Sequence, residues 1–167
     1  MRIVPVAIAA GAALVAAAAA AAGTAPTTLP VTATVAATCR VSAAGLAFGT
    51  YMPTTGPLTG TTRVNVVCSR RTAFRVALGL GTTPGASVAR RLLANGAGRL
   101  QYNLYTTRAH TAVWADGTAG SRVRTGRGRG PTRPVSLIVY GMLPDNAANQ
   151  AAGPGIYSDT IMVTVTY

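Results

Sequence analysis

Short apolar runs with a two-residue period recur along the sequence, separated by glycine, proline, asparagine and threonine. In one of them, Val64, Val66 and Cys68 occupy every second position. A period of two places alternate side chains on one face of a β-strand, whereas an amphipathic helix has a period of about 3.6 residues. The other runs are 74–78, 100–104, 135–139 and 161–167. Several short strands divided by turn residues predict an all-β chain folded as a β-sandwich.

The residues between these runs have turn chemistry. Asn95-Gly96 is a dipeptide that hairpin turns favour, because both positions tolerate a positive φ. Residues 152–155 read Ala-Gly-Pro-Gly, a sequence that a central strand excludes. No helical period is convincing after the N-terminal segment, although residues 86–93 leave room for one short helix.

The first residues of the chain have the order of a secretory signal peptide. Arg2 precedes an uncharged apolar run over 3–22, and small residues follow it. A membrane anchor is the alternative, because about 20 apolar residues can span a bilayer, but this run is mostly alanine, which is only weakly apolar. We therefore expect residues 1–24 to be a signal, cleaved between Ala19 and Ala25, and the mature protein to have no membrane span.

The chain has two cysteines, Cys39 and Cys68. An even pair in a protein exported to an oxidising compartment predicts a disulfide. Closing a loop of about 30 residues contributes roughly 3–4 kcal/mol by the chain-entropy estimate. The single histidine, His110, and the lack of a CxxC motif leave too few ligands for a structural zinc site. The sequence predicts no metal and no other cofactor.

Arginine dominates the charge of the chain. All 15 basic residues are arginine, against three aspartates, so the net charge is +12. Such a charge attracts nucleic acids and other anions, and five of the arginines lie within 122–133. Arginine-rich segments that bind nucleic acid usually add aromatic side chains for base stacking, which 122–133 lacks. We therefore interpret 122–133 as an exposed, solvated loop and expect no nucleic-acid partner.

No set of residues has the composition of a catalytic centre. A nucleophilic triad needs a nucleophile, a base and an orienting acid within reach of one another, and His110 is better explained as a polar loop residue. Trp114 and Tyr102 are aromatic residues that could line a sugar-binding site, but packing in the core or on a sheet face explains them more simply. We expect a protein that is not an enzyme.

The two ends of the mature chain differ in pattern. An unbroken alternation occupies the N-terminal segment, at Leu29, Val31, Ala33, Val35, Ala37 and Cys39. As a strand it would extend roughly 35 Å, more than one strand of a compact sandwich. The last strand-like run reaches Tyr167, so we expect a sheet edge that can accept an added strand. The pattern allows the N-terminal segment to pack on its own domain or to leave it.

Motifs spread over residues 37–167 resemble a known family. In chain order they are A-T-C-R-V at 37–41, L-A-F-G-T-Y at 46–51, V-N-V-V-C at 64–68, L-Q-Y-N-L-Y at 100–105, W-A-D-G-T at 114–118, Y-G at 140–141, G-I-Y-S-D-T at 155–160 and a final V-T-V-T-Y. Their order and spacing are similar to those of the spore coat protein U domain, which is similar to the subunits of archaic chaperone–usher pili. The arginine content of 122–133 departs from what we expect of that family.

The resemblance implies an incomplete immunoglobulin-like β-sandwich over 37–167 that lacks its final strand. A periplasmic chaperone would lend a strand, and an outer-membrane usher would let the N-terminal extension of the next subunit replace it. The extension corresponds to residues 25–36. Its donor side chains would be Leu29, Val31, Ala33 and Val35. The acceptor groove would include Ile161, Val163 and Val165.

The function implied by the resemblance is that of a structural subunit of a secreted surface fibre, a pilus or fimbria built by donor-strand exchange. Its partners would be the chaperone, the usher and neighbouring copies or related subunits. Its location would be the periplasm in transit and then the cell surface. The alternative is a standalone secreted coat or adhesive protein that completes its own fold. Because the chain has room for one domain only, a shaft or minor subunit is favoured over a tip adhesin.

Overall fold

The computed structural model describes residues 22–167, so most of the predicted signal peptide lies outside the described residues. Contacts divide the chain into two units, 1–34 and 35–167. Residues 22–34 are exposed and have no assigned secondary structure. The described part of the second unit contains these elements: β1 (Cys39–Ala43), β2 (Leu58–Cys68), β3 (Ala73–Leu78), β4 (Arg91–Asn95), β5 (Gly98–Tyr105), β6 (Arg124–Arg127), β7 (Val135–Leu143), α1 (Ala147–Gln150) and β8 (Val163–Thr166).

The strands form two antiparallel sheets. The larger sheet has the order β1-β2-β7-β5-β4, and the smaller has the order β6-β3-β8. The two-residue period decides which side chains face inward: Val64 and Val66 of β2 and Phe74 and Val76 of β3 are all buried in one core cluster. The predicted all-β sandwich is confirmed, and every apolar run with a two-residue period within 64–167 contributes to a strand.

The short helix considered for residues 86–93 is wrong. Ser87 and Arg90 instead exchange two backbone hydrogen bonds of 2.7 and 3.0 Å, and β4 begins at Arg91. The helix in the described chain is the single turn α1, which the sequence pattern did not reveal. Its N-cap is Asn146, whose side-chain oxygen accepts a hydrogen bond of 2.9 Å from the backbone of Asn149.

A buried arginine joins the two sheets. Arg91 is fully buried, and its guanidinium donates to the backbone oxygens of Gly79 (2.9 Å) and Trp114 (2.8 Å) and to Asn103 Oδ1 (2.5 Å). Burial lowers the pKa of Arg91, and a buried charge is tolerated only when hydrogen bonds replace its water. Trp114 is also fully buried and donates from Nε1 to Val76 O at 2.9 Å. The tryptophan is therefore part of the core and not of an exposed sugar site.

The disulfide expected between Cys39 and Cys68 is present. It joins β1 to β2 at positions that are partners in the sheet register. Next to it, Ser69 N donates to Thr38 O at 2.9 Å, and Thr38 N donates to Ser69 Oγ at 3.0 Å. These bonds fix the point at which the N-terminal segment joins the sandwich.

The arginine-rich segment 122–133 is not a free loop, and that prediction is wrong in part. Its residues Arg124–Arg127 are β6, which pairs with β3. Gly128 is buried, bonds through its backbone to both Arg71 and Thr72 at 2.8 Å, and lies where a side chain would collide with the Ser69 carbonyl. The glycines therefore let this strand approach the sandwich closely. The high arginine content of the segment had indicated a solvated loop instead.

A carboxylate ties two loops together at one end of the sandwich. Asp145 accepts hydrogen bonds from the Tyr51 hydroxyl (2.5 Å), the Gly56 amide (2.8 Å) and the Gln150 side chain (3.0 Å). The hydrogen bond from Tyr51 is the main reason that the pKa of Asp145 falls to about 2. Burial and the same hydrogen bond raise the pKa of Tyr51 to about 12. The contact holds the segment after β1 against the segment before α1.

We predict that the exposed arginines of 122–133 can be replaced without loss of stability, whereas Arg124 cannot. Arg124 is half-buried, donates to Thr106 O at 3.1 Å and lies 6.0 Å from the centre of the Trp114 ring. Arg124→Ser should lower the free energy of unfolding by roughly 1 kcal/mol. Arg127→Ser and Arg129→Ser should change it by less than about 0.5 kcal/mol. Urea unfolding measures all three, and equal losses would contradict this difference.

We predict that Asp145 makes the protein sensitive to acid. Because the folded pKa of Asp145 is about 2 and its ordinary value is 3.8, its stabilising effect is complete above the ordinary value and is lost as the pH falls through the folded value. Asp145→Asn should lower the melting temperature at pH 7 and give a shallower further decline between pH 4 and 2. Parallel declines in the wild type and the variant would contradict the role of this carboxylate.

Candidate functional site

The last strand lies at the edge of the smaller sheet and pairs there with β3. Met162 O accepts a hydrogen bond of 2.8 Å from Gly79 N, on the β3 side. Because successive residues of a strand direct their backbone groups to opposite sides, the N–H and C=O groups of Ile161, Val163 and Val165 face away from β3. The side chains of the same three residues are half-buried and pack against the core. This edge of β8 is therefore a row of backbone donors and acceptors that another strand can pair with.

A groove opens into the core beside this edge. Its first part is a cavity of about 310 Å³ between residues 43–48 and 159–163. The floor is apolar and is formed by side chains of both sheets: Val64, Leu78, Tyr102, Leu104 and Val139. Ile161 and Val163 line the wall on the β8 side. A chain laid in this part would meet an apolar floor and an unpaired backbone edge together.

The groove continues into a second cavity of about 890 Å³, between residues 46–53 and 152–159. The two cavities share Leu46, Phe48 and Leu93, together with Asp159. Their lining therefore forms one elongated surface along the sandwich, which we call the acceptor groove. An elongated groove of this kind suits an extended segment better than a compact small molecule.

The wall opposite β8 was not identified from the sequence. Leu46 and Phe48 follow β1 and point into the groove, with Ala47 exposed between them. Phe48 contacts Tyr102 edge to face, with ring centroids 5.9 Å apart. Gly141 of β7 leaves the space for this wall, because a side chain there would collide with Leu46. The alternation of Leu46 and Phe48 was a usable signal, but the pattern alone did not say which face they share.

Asp159 fixes the other wall. Its carboxylate accepts hydrogen bonds from the Tyr102 hydroxyl (2.7 Å) and from the backbone amides of Thr82 (2.9 Å) and Thr83 (3.3 Å). Burial, and then the bond to Asp159, raise the pKa of Tyr102. Gly81, with φ of 102°, leaves the space that the carboxylate occupies. The segment leading into β8 is thus tied to the floor and to a neighbouring loop.

The expected donor residues lie in the N-terminal segment and are described by themselves. Leu29, Val31 and Val35 are 84%, 86% and 91% exposed, and Ala33 is exposed as well. No strand is assigned among residues 22–38. Large apolar side chains exposed at every second position are a feature that proteins normally bury or use for binding. The segment therefore has the side-chain pattern of a β-strand.

Neither a metal site nor a membrane-spanning helix is found in the part of the chain that the structure describes. Within residues 22–167, no three or more His, Cys, Asp and Glu side chains are grouped so that they can hold a metal ion. No helix in this range is both long and apolar enough to cross a membrane.

One similar solved structure is the CsuC–CsuE chaperone–tip adhesion subunit pre-assembly complex from the archaic chaperone–usher Csu pili of Acinetobacter baumannii. The similarity to a chain of that complex has a TM-score of 0.53 at 20% sequence identity, which shows a shared fold. It covers 80% of this chain and 41% of that chain, so the protein spans less than half the length of this structural relative. No protein of curated function matches the sequence.

The family comparison agrees with the motifs and with the fold. The model of the spore coat protein U domain matches residues 25–164, which include both cysteines, both walls of the groove and the first half of β8. The match also includes the exposed N-terminal segment with Leu29 and Val31. Since it extends over most of the chain, the protein belongs to the spore coat protein U domain family.

Proposed function

We propose that the protein is a structural subunit of a surface fibre assembled by donor-strand exchange in a chaperone–usher pathway. The observation that carries this proposal is the unpaired edge of β8 beside an apolar groove. Membership of the spore coat protein U family and the similarity in fold to a chaperone–subunit complex support it. In this proposal residues 1–24 direct export and are removed, and residues 25–36 are the donor segment.

The acceptor groove and the donor segment are complementary in chemistry. An inserted strand would pair with the backbone groups of Ile161, Val163 and Val165 and place alternate side chains on the apolar floor. Burying the side chains of Leu29, Val31 and Val35 would contribute roughly 1.5–3 kcal/mol each, before the cost of ordering the segment. A slip of one residue would turn threonines such as Thr32 and Thr34 towards the floor, so the register is well specified.

The same groove gives a reason for the proposed partners. A subunit with an open edge and an exposed apolar floor is prone to aggregation until a strand covers them. A periplasmic chaperone would supply that strand during transit, and an outer-membrane usher would allow a neighbouring copy or a related subunit to replace it. The fibre would then reach the cell surface.

A standalone coat or adhesive protein is the second candidate function. The alternating apolar side chains of the N-terminal segment favour this candidate, because they could fill the groove of the same chain as well as that of a neighbouring copy. In that case the mature protein is recovered without a chaperone as a stable monomer. In the case of the fibre subunit, recovery depends on the chaperone.

We predict that a charge on the apolar face of the donor segment blocks polymerisation. Val31→Asp or Val35→Asp would bring a carboxylate to the apolar floor without a partner, which is costly, while the acceptor groove is unchanged. Thr32→Asp is the matched control, because it adds the same charge on the opposite face. Polymers detected as ladders in unheated gels should be lost in the valine variants and kept in the control. Equal loss in all three, or ladders from Val31→Asp, would contradict the proposal.

We predict that a subunit without the donor segment can accept a strand but cannot donate one. A subunit lacking residues 27–35 keeps the acceptor groove and Cys39, so it should still bind the chaperone and accept a strand from an intact subunit. It should not extend a chain further, and mixtures with the intact subunit should give shorter polymers as its share rises. Polymers made by the deleted subunit alone would contradict the assignment of the donor.

A further inference from the structure

A second concave surface lies on the outer face of the larger sheet. A cavity of about 580 Å³ lies over β2 and β7. In the register of these strands, Thr61 is the partner of Tyr140 and Arg63 is the partner of Ile138, and all four residues line the cavity. Their side chains alternate with the buried ones of the same strands, such as Val64, and therefore face away from the core.

The loop after β5 forms the rim of this cavity. Thr106 N donates to Ala112 O at 2.9 Å, which closes the loop. Within it His110 has a φ of 54° and packs edge to face on Tyr105, with ring centroids 5.1 Å apart. This packing brings His110 and its neighbour Arg108 to the same cavity as Tyr140. We call the surface formed by Arg63, Arg108, His110, Tyr140 and Thr61 the arginine–tyrosine pocket.

The polar groups of this pocket are available to a ligand. Arg63 and Arg108 are exposed, and neither their guanidinium groups nor the Tyr140 hydroxyl hydrogen-bond to another residue of the described chain. The three carboxylates are engaged elsewhere by neutral donors, Asp116 by Thr118, Asp145 by Tyr51 and Asp159 by Tyr102. Two positive charges thus face one concave surface without a hydrogen-bonded counter-ion among residues 22–167.

We propose that the arginine–tyrosine pocket binds a carboxylated sugar, such as a uronic acid residue of an acidic polysaccharide. A guanidinium group binds a carboxylate through two parallel hydrogen bonds. The hydroxyls of Thr61 and Tyr140 can each donate to and accept from sugar hydroxyls, and the ring of Tyr140 adds apolar surface beside them. A volume of about 580 Å³ lies within the range of small-ligand sites, roughly 300–1,000 Å³.

The composition of the pocket favours a sugar over a nucleic acid. A single strand of nucleic acid is held by aromatic side chains on which successive bases stack. Among the residues that line the described pocket, Tyr140 provides the one phenol ring, and the His110 ring packs on Tyr105. The lining shares only Thr62 with the first part of the acceptor groove. A ligand in this pocket would therefore lie outside the acceptor groove.

The test measures binding of defined probes to the full mature protein by calorimetry. The probes are a trigalacturonate, a neutral galactose trisaccharide, inorganic phosphate and a ten-residue oligothymidylate. Trigalacturonate should bind, and Arg63→Gln or Arg108→Gln should each weaken it by roughly tenfold or more, as expected for loss of a charged hydrogen bond. Arg90→Gln and Arg122→Gln are matched controls, since both side chains are exposed and lie outside the pocket. They should change the affinity by less than about twofold, as expected for surface substitutions.

Each contrary result has a defined meaning. Equal weakening by the pocket variants and the controls would show attraction by net charge alone and would overturn the proposal. Phosphate binding as tight as that of trigalacturonate would show a simple anion site, and tighter binding of the oligothymidylate would show a nucleic-acid site. The absence of trigalacturonate binding at millimolar concentration would also overturn it. Because these side chains are exposed, each variant should have the melting temperature of the wild type. Thermal unfolding measures this and shows whether the fold is intact.

Discussion

The unpaired backbone edge of β8 is the feature on which the rest of the site depends. Buried backbone donors and acceptors need partners, and apolar side chains need cover. Here Ile161 and Val163, whose backbone groups face away from β3, line a groove that opens onto the core. In the proposed function, a strand from another molecule covers this edge and the apolar floor, and that pairing is what makes assembly favourable.

Hydrogen bonds and the disulfide hold the segments on both sides of the groove to the rest of the sandwich. Asp159 holds the segment before β8 to Tyr102 and to the loop at Thr82. Asp145 holds the segment after β1 through Tyr51, and the disulfide fixes the start of β1. The guanidinium of Arg91 joins the sheets from within. In the proposed function, walls held by such contacts would need little rearrangement when a strand binds, which would lower the cost of binding.

Much of the fold was accessible from the sequence because strands have a simple period. The strands with Val64, Phe74 and Leu100 were predicted, and so was the disulfide. Elements held by backbone contacts were not: β6 has the sequence Arg-Thr-Gly-Arg, and its place depends on the close approach of Gly128. The groove wall at Leu46 and Phe48 and the burial of Arg91 depend on long-range packing. Such packing has no local pattern, so the wall at Leu46 and Phe48 was not predicted, and the assignment of Ile161, Val163 and Val165 to an acceptor groove stays a prediction.

The most direct measurement is hydrogen exchange at the backbone amides of Val163 and Val165 during polymerisation. The account predicts rapid exchange in subunits that have just been released from the chaperone, and slow exchange once they are in polymers. It also predicts that residues 29–35 become protected at the same time, since the two segments would pair between molecules. Slow exchange at both places in a protein that stays monomeric at high concentration would contradict the account, because the chain would then complete its own fold.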